Sequence, residues 1–154
     1  TGCRVAHTRK TTPGLRLLER EAVLHGGGSA HRYNLGAAAM LKDNHLKAAN
    51  GDMAQAIRLV RRGLSHTATL EVEADTLEQA RLAVAEGADV VLLDNLPLET
   101  LRQAVAELGG RAVLEASGGI TLETVRAVAE TGVHVISTSQ ITLGAPAVDI
   151  GLDM

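Results

Sequence analysis

Tryptophan and phenylalanine are absent from the 154 residues, and Tyr33 is the only aromatic. With 45% of the chain apolar, the core must be built from Ala, Val, Leu and Ile. That suits a buried parallel sheet, whose strands favour aliphatic runs. It argues against recognition of single-stranded nucleic acid, which relies on stacking aromatics. A net charge of −3 supplies no basic field for a polyanion partner. The lone cysteine, Cys3, excludes an internal disulfide and a cysteine metal cluster. No apolar run approaches the roughly 20 residues of a membrane span, and no signal peptide is visible. The expectation is a cytoplasmic protein with neither a membrane nor a nucleic-acid partner.

What the chain does contain is a repeat. Ala83-Val84-Ala85-Glu86, Ala104-Val105-Ala106-Glu107 and Ala127-Val128-Ala129-Glu130 each end a helical pattern and lead into an apolar run. The runs are Val90–Leu93, Ala112–Leu114 and Val135-Ile136, and each stops on polar or charged residues. A βα unit of roughly twenty-odd residues is the signature of a parallel barrel, which places its chemistry at the C-terminal ends of its strands. Upstream, Arg4 to Thr8, Ala38 to Leu41 and Ala68 to Val72 read as three further strands.

Thr12 and Pro13 are suited to start a helix with Leu15, Leu18 and Ala22 on one face. Asp52 suits the N-cap of a helix whose Met53, Ala56, Ile57 and Val60 share a face. Thr76 with Gln79 forms a capping box for the next helix. The predicted fold is α/β, an incomplete TIM-like barrel of about six parallel strands in one domain, residues 1–154. A complete eightfold barrel usually needs about 250 residues, so a barrel lacking elements or a preceding domain is expected.

Ser117-Gly118-Gly119 lies between a strand and a helix expected to start near Thr121. Glycines there let backbone N–H groups approach an anion, and a helix N-terminus adds partial positive charge. Ser137-Thr138-Ser139, after the next strand, is placed to offer hydroxyls to the same anion. Arg9, Lys10, Arg32 and Lys42, with His31, make the early strand ends cationic. Arginine binds carboxylate or phosphate bidentately, whereas lysine acts as a point charge. Glu71 and Asp94 close successive strands and suit Mg²⁺ ligation or sugar hydroxyls, with Glu73 and Glu115 as alternates. His7, His25, His66 and His134 show no metal-ligand spacing.

Thr8-Arg9-Lys10-Thr11-Thr12-Pro13-Gly14 closely resembles the hallmark of the quinolinate phosphoribosyltransferases. So does the order that follows: Gly26-Gly27-Gly28, His31-Arg32, Leu41-Lys42-Asp43-Asn44-His45, Glu71-Val72-Glu73, Leu93-Asp94-Asn95 and Glu115-Ala116-Ser117-Gly118-Gly119-Ile120. The resemblance implies transfer of phosphoribose from phosphoribosyl pyrophosphate to quinolinate with loss of CO₂, giving nicotinate mononucleotide and pyrophosphate, with Mg²⁺. By resemblance Arg9, His31 and Arg32 hold the quinolinate carboxylates with Lys42 nearby. Lys10 and Lys42 face the pyrophosphate, Glu71 and Asp94 take ribose hydroxyls and Mg²⁺, and Ser117, Gly118 and Gly119 cradle the 5′-phosphate. The resemblance also implies a preceding α/β domain that this chain lacks, and a homodimer whose active site is shared between subunits. Many members of the family have Gly where Ser139 stands and His where Leu143 stands. A relative acting on nicotinate or encoded with molybdate uptake, and a non-catalytic anion-binding barrel, are the alternative readings.

Overall fold

Six strands run parallel in one sheet, in the order β1-β6-β5-β4-β3-β2, in a computed structural model that describes residues 1–153. The strands are β1 (Arg4–Ala6), β2 (Ala39–Leu41), β3 (Leu70–Ala74), β4 (Val90–Asp94), β5 (Val113–Ser117) and β6 (Val135–Ser137). The helices are α1 (Arg16–His25), α2 (Asp43–Ala48), α3 (Met53–Gly63), α4 (Leu77–Ala85), α5 (Leu98–Leu108) and α6 (Val125–Ala129). The expected incomplete barrel is therefore observed, with β1 and β2 as its unjoined edges. At that seam Ser29 bridges to Ala6, and its N–H donates to the Val5 carbonyl at 2.7 Å. Gly28 makes this approach fit, because a Cβ there would collide with the Val23 side chain and crowd the Val23 carbonyl.

Strand alternation sorts the side chains into two compartments. Leu70, Val72, Ala74, Val91, Leu93, Leu114, Ala116 and Ile136 face outward and are almost completely buried. They pack under Ile57 of α3, Ala80 and Ala83 of α4, Leu101 and Ala104 of α5 and Val128 of α6. The intervening positions, Glu71, Glu73, Leu92, Glu115 and Ser137, face the barrel interior and are buried as well. The core is thus a shell between sheet and helices, and the barrel's inside is polar.

The alanine-rich repeat has a physical basis. Its Ala and Val positions let helices lie close to the sheet, and Ala80, Ala83 and Ala104 retain no exposure. Two of its glutamates tie neighbouring helices together. Glu86 receives Arg58 of α3 at 2.5 and 2.6 Å, and Glu107 receives Arg81 of α4 at 2.7 and 2.9 Å. The residues before β4 and β6 have a further task. The Asp89 carboxylate accepts the Leu70 N–H at 2.8 Å, and the His134 ring accepts the Leu114 N–H at 2.9 Å. His134 is therefore a strand-pairing residue.

Several local expectations need correction. Thr12 does not cap α1: Gly14 turns the chain with φ of +81°, so the helix begins at Arg16 behind Leu15. Its apolar stripe is uncovered, with Leu17 and Leu18 63% and 68% exposed and Val23 alone buried. The third strand lies two residues later than expected, because the turn at Ser65–Ala68 consumes its start. The segment after β2, to which the sequence reading assigns no element, forms α2. Asp52 and Thr76 cap α3 and α4 as expected, but the Gln79 side chain reaches back to the Asp75 N–H. The last helix starts at Val125 rather than near Thr121, after a turn in which Thr124 Oγ1 accepts the Thr121 N–H at 3.0 Å.

Burial predicts a sharp contrast in stability. Leu93→Ala, in the fully buried shell, should cost about 3 kcal/mol in urea unfolding. Arg81→Ala should cost less than about 1 kcal/mol, because an exposed pair is screened by water.

Candidate active site

The C-terminal ends of the strands surround a mouth of about 310 Å³ lined by Arg9, Lys10, His31, Arg32, Lys42, Asp94 and Ser117. Beside it lies a smaller cavity of about 80 Å³ lined by Lys10, Ser117, Gly118, Gly119, Thr138 and Ser139. Lys10 and Ser117 belong to both. The cations that follow β1 and β2, separated by some thirty residues of sequence, therefore converge, as the sequence suggests.

The small cavity has the chemistry of an anion cradle. Gly118 and Gly119 adopt φ of +94° and +58°, and a Cβ at Gly118 would overlap the Asn95 amide. Among the described residues, no carbonyl accepts from the amides of Gly118, Gly119 or Ser139. Thr138 Oγ1 instead donates to the Ile120 carbonyl at 2.9 Å, and Ser117 Oγ to the Ser137 carbonyl at 3.2 Å. These bonds fix the two loops against each other. The helix-dipole contribution expected here is withdrawn, since α6 is five residues long and starts well past Gly119. The cradle rests on free amides and Lys10. Ser139 lies in it, whereas Leu143 is 56% exposed and holds Ser139 only through its N–H, donated to the Ser139 carbonyl at 2.8 Å.

The arginines are pre-aimed. Arg9 spends one nitrogen on the Tyr33 carbonyl at 2.8 Å. Arg32 donates Nη1 to the Ala38 carbonyl at 2.9 Å and approaches Met40 Sδ at 3.7 Å, while its buried Nε has no partner. Arg32 lines the mouth with its Nη2 met only by that weak sulfur acceptor. Lys42 Nζ donates to Glu73, and the Thr142 hydroxyl donates to the Lys10 carbonyl at 2.9 Å, pinning the chain's far end under the mouth.

The acidic residues are not distributed as expected. Glu71 lies opposite Val90 in the register, four residues below Asp94 on β4. That is about 13 Å along the strand, too far for both carboxylates to hold one ion. Glu71 lines instead a lower cavity of about 430 Å³ together with His31 and Glu115. The carboxylate nearer the mouth is Glu73, level with Leu92 and paired to Lys42. Glu73 ranks only as an alternate in the sequence, and periodicity does not say how high on a strand each residue sits. Thr8 and Thr138, which line the cavities, carried no separate signal beyond their place after β1 and β6.

His31 Nε2 stands 3.6 Å from both Glu71 and Glu115, and its Nδ1 accepts the Arg32 N–H at 2.7 Å. The Glu71 carboxylate, against the effect of burial, raises the imidazole above its ordinary value of 6.5. Burial, then the Glu71 charge, raises Glu115 above 4.5. Both shifts are upward, so the folded protein keeps protons that the unfolded chain releases. Stability from this cluster is full below the ordinary glutamate value and is lost as pH rises through the raised ones. Glu115→Gln should therefore flatten the decline in urea-unfolding stability between about pH 5 and 8.

Residues 1–153 match the family model described as "Quinolinate phosphoribosyl transferase, C-terminal domain". A probable nicotinate-nucleotide pyrophosphorylase (carboxylating) of Methanothermobacter thermautotrophicus is 46% identical over 99% of this chain and 56% of its own length. The human nicotinate-nucleotide pyrophosphorylase (carboxylating) is 43% identical over 97% of the chain and 51% of its own length. The crystal structure of nicotinate-nucleotide pyrophosphorylase from Ehrlichia chaffeensis superposes with a TM-score of 0.93 at 38% identity, over 99% of this chain and 55% of that one. The chain spans about half the length of the curated relatives it matches. With its six-stranded open barrel and the motif order at its mouth, this chain belongs to the quinolinate phosphoribosyl transferase family, matching its C-terminal domain.

Proposed function

We propose that the protein transfers phosphoribose from phosphoribosyl pyrophosphate to quinolinate, with decarboxylation, yielding nicotinate mononucleotide, pyrophosphate and CO₂. One observation supports this above the others: Arg9, Arg32, Lys10 and Lys42 line a single mouth that adjoins a phosphate-sized cradle. A dicarboxylate, a pyrophosphate and a sugar phosphate together ask for that set of groups.

In this reading Arg9 and Arg32 grip the two carboxylates of quinolinate and place its ring nitrogen over the sugar. The 5′-phosphate takes the amides of Gly118, Gly119 and Ser139, and Lys10 spans phosphate and pyrophosphate. The C1′–oxygen bond breaks with its electron pair leaving on pyrophosphate, where Lys10 and Lys42 receive the negative charge. Asp94 and Glu73 offset the positive charge left on the anomeric carbon. The pyridine nitrogen then bonds to C1′. The bond from ring carbon 2 to its carboxylate breaks next, CO₂ departs, and the electron pair left on that carbon takes up a proton. Asp94, half-buried with one oxygen on the Asn95 amide, and Glu73 are oxygen donors of the type Mg²⁺ prefers and would hold it. When bound, the ion neutralises charge on the pyrophosphate.

A homodimer belongs to the same reading, with a neighbouring subunit lending a further basic residue to the mouth. The uncovered leucines of α1 support it, as a helix stripe of that kind is ordinarily packed. A cytoplasmic location follows from the same activity. Among the described residues no helix is long and apolar enough to cross a membrane.

CO₂ release from quinolinate, assayed on the protein at its natural length, tests the reaction, and absence of turnover with quinolinate but not nicotinate would overturn it. Arg32→Lys should weaken quinolinate binding about 10–100-fold in calorimetry, with phosphoribosyl pyrophosphate affinity little changed, because a lysine loses one of two charged hydrogen bonds. Asp94→Asn and Glu73→Gln should each lower kcat about a hundredfold, equivalent to roughly 3 kcal/mol of barrier. Glu71→Gln should leave a smaller deficit than either, measured in the same assay.

A further inference from the structure

Among the described residues only two that are not glycine adopt a left-handed backbone, Asn50 and Asn95. Asn50 follows α2 and precedes Gly51, an ordinary way for a helix to end. Asn95 stands directly after Asp94 at the mouth, with φ of +53°. A left-handed residue there turns the chain out of β4, and glycine would do so without strain. What asparagine adds is a side-chain amide.

Three contacts fix the place of Asn95. Its backbone N–H donates to the Ser117 carbonyl at 2.9 Å, extending the register in which Asp94 pairs with Ser117. Its Nδ2 donates to Asp94 Oδ2 at 2.8 Å, and no donor among the described residues holds Oδ1 of that carboxylate. Its amide fills the space beside Gly118, where a Cβ would overlap the amide's oxygen, carbon and nitrogen. Gly118 therefore lacks a side chain for two reasons, its own φ of +94° and the Asn95 amide against it.

Asn95 itself lines neither cavity, whereas Asp94 lines the mouth and Gly118 the cradle. It is also exposed, where water competes for its hydrogen bond and the gain in stability is small. Its effect passes through its neighbours. The last torsion of an aspartate is broad when nothing restrains it. Holding Oδ2 sets that torsion, and with it the direction of Oδ1.

We propose that Asn95 is a positioning residue: lodged against Gly118, its amide holds one oxygen of Asp94 so that the other is aimed at the ribosyl group. This rests on the proposed phosphoribosyl transfer and names what ties its sugar site to its phosphate cradle.

Glycine and aspartate separate the backbone of Asn95 from its amide. Asn95→Gly keeps the left-handed turn and removes the amide, so its urea midpoint should equal or exceed that of the wild type. Its kcat should fall about tenfold, the loss expected for one hydrogen bond to a charged group. Its quinolinate KM should stay within about twofold. Asn95→Asp keeps the shape but sets a second carboxylate against Asp94, and should lose more. In an Asp94→Asn background, Asn95→Gly should cost less than about threefold, because the group it aims is already gone. An undiminished loss in that background overturns the proposal. So does wild-type kcat in either single variant, or a fall in kcat matched by a fall in stability. A crystal structure of the Asn95→Gly protein supplies a readout apart from turnover. The Asp94 carboxylate should rotate away from its wild-type orientation, and one that stays in place ends the proposal. If the wild-type protein at its natural length neither binds phosphoribosyl pyrophosphate nor turns over quinolinate, the functional reading fails. The rotation of Asp94 then still decides whether the brace exists.

Discussion

Everything at the mouth depends on keeping charge inside a barrel whose walls are closed to water. Glu71, Glu73 and Glu115 are 5, 8 and 6% exposed, and an isolated carboxylate in such a place is expensive. The structure offsets that cost within the barrel itself. Glu73 is matched by Lys42, and Glu71 with Glu115 faces the Nε2 edge of His31, near Arg32. Removing one member of such a set leaves its partner buried and uncompensated, which costs more than the pair contributes. The acidic and basic residues of the interior are therefore one electrostatic unit. The ligand-facing edges of Arg9, Arg32 and Lys10 are the part of it left unmatched.

The aliphatic shell makes that interior affordable. Its residues were legible in the sequence because outward positions on β3, β4 and β5 are aliphatic without exception, from Leu70 to Ala116. The repeats announced the parallel topology, since Ala-Val-Ala-Glu can serve both as a small buried helix face and as a strap between helices. Ends were harder to read. A Thr-Pro pair looks like a helix start, but Gly14 in a left-handed conformation cancels it, and no pattern in the sequence tells which of two turn residues wins. The apolar stripe of α1 has the right period and no neighbour among the described residues to bury it. Periodicity reports that a face is apolar, never what covers it.

For the site, residue type and order carried most of the information and height along the strand carried the rest. Arg9, Lys10, Arg32, Lys42, Asp94 and the Ser117-Gly118-Gly119 turn meet where strand ends were expected to bring them. Glu71 does not, because β3 begins later than its apolar pattern implies and each two-residue step raises a side chain by about 7 Å. A glutamate two positions away thereby changes from the mouth to the floor. His31 shows the same limit in another form. Its place beside Arg32 at the mouth is legible in the sequence, whereas only the fold brings its Nε2 to 3.6 Å from Glu71 and Glu115.

The missing strands are part of how the mouth works. In a closed barrel the gap between β1 and β2 would be filled by further strands, whose alternation would send every second side chain outward. Here the gap is crossed by irregular chain from Gly26 to Ala38, tied to β1 at Ser29 and to the Tyr33 carbonyl by Arg9. Irregular backbone can place consecutive residues on the same side, so His31 and Arg32 both turn into the barrel, one downward and one up. That arrangement is unavailable to two neighbours on a strand. The open seam thus supplies what the six strands cannot: two neighbouring side chains, His31 and Arg32, that both enter the barrel.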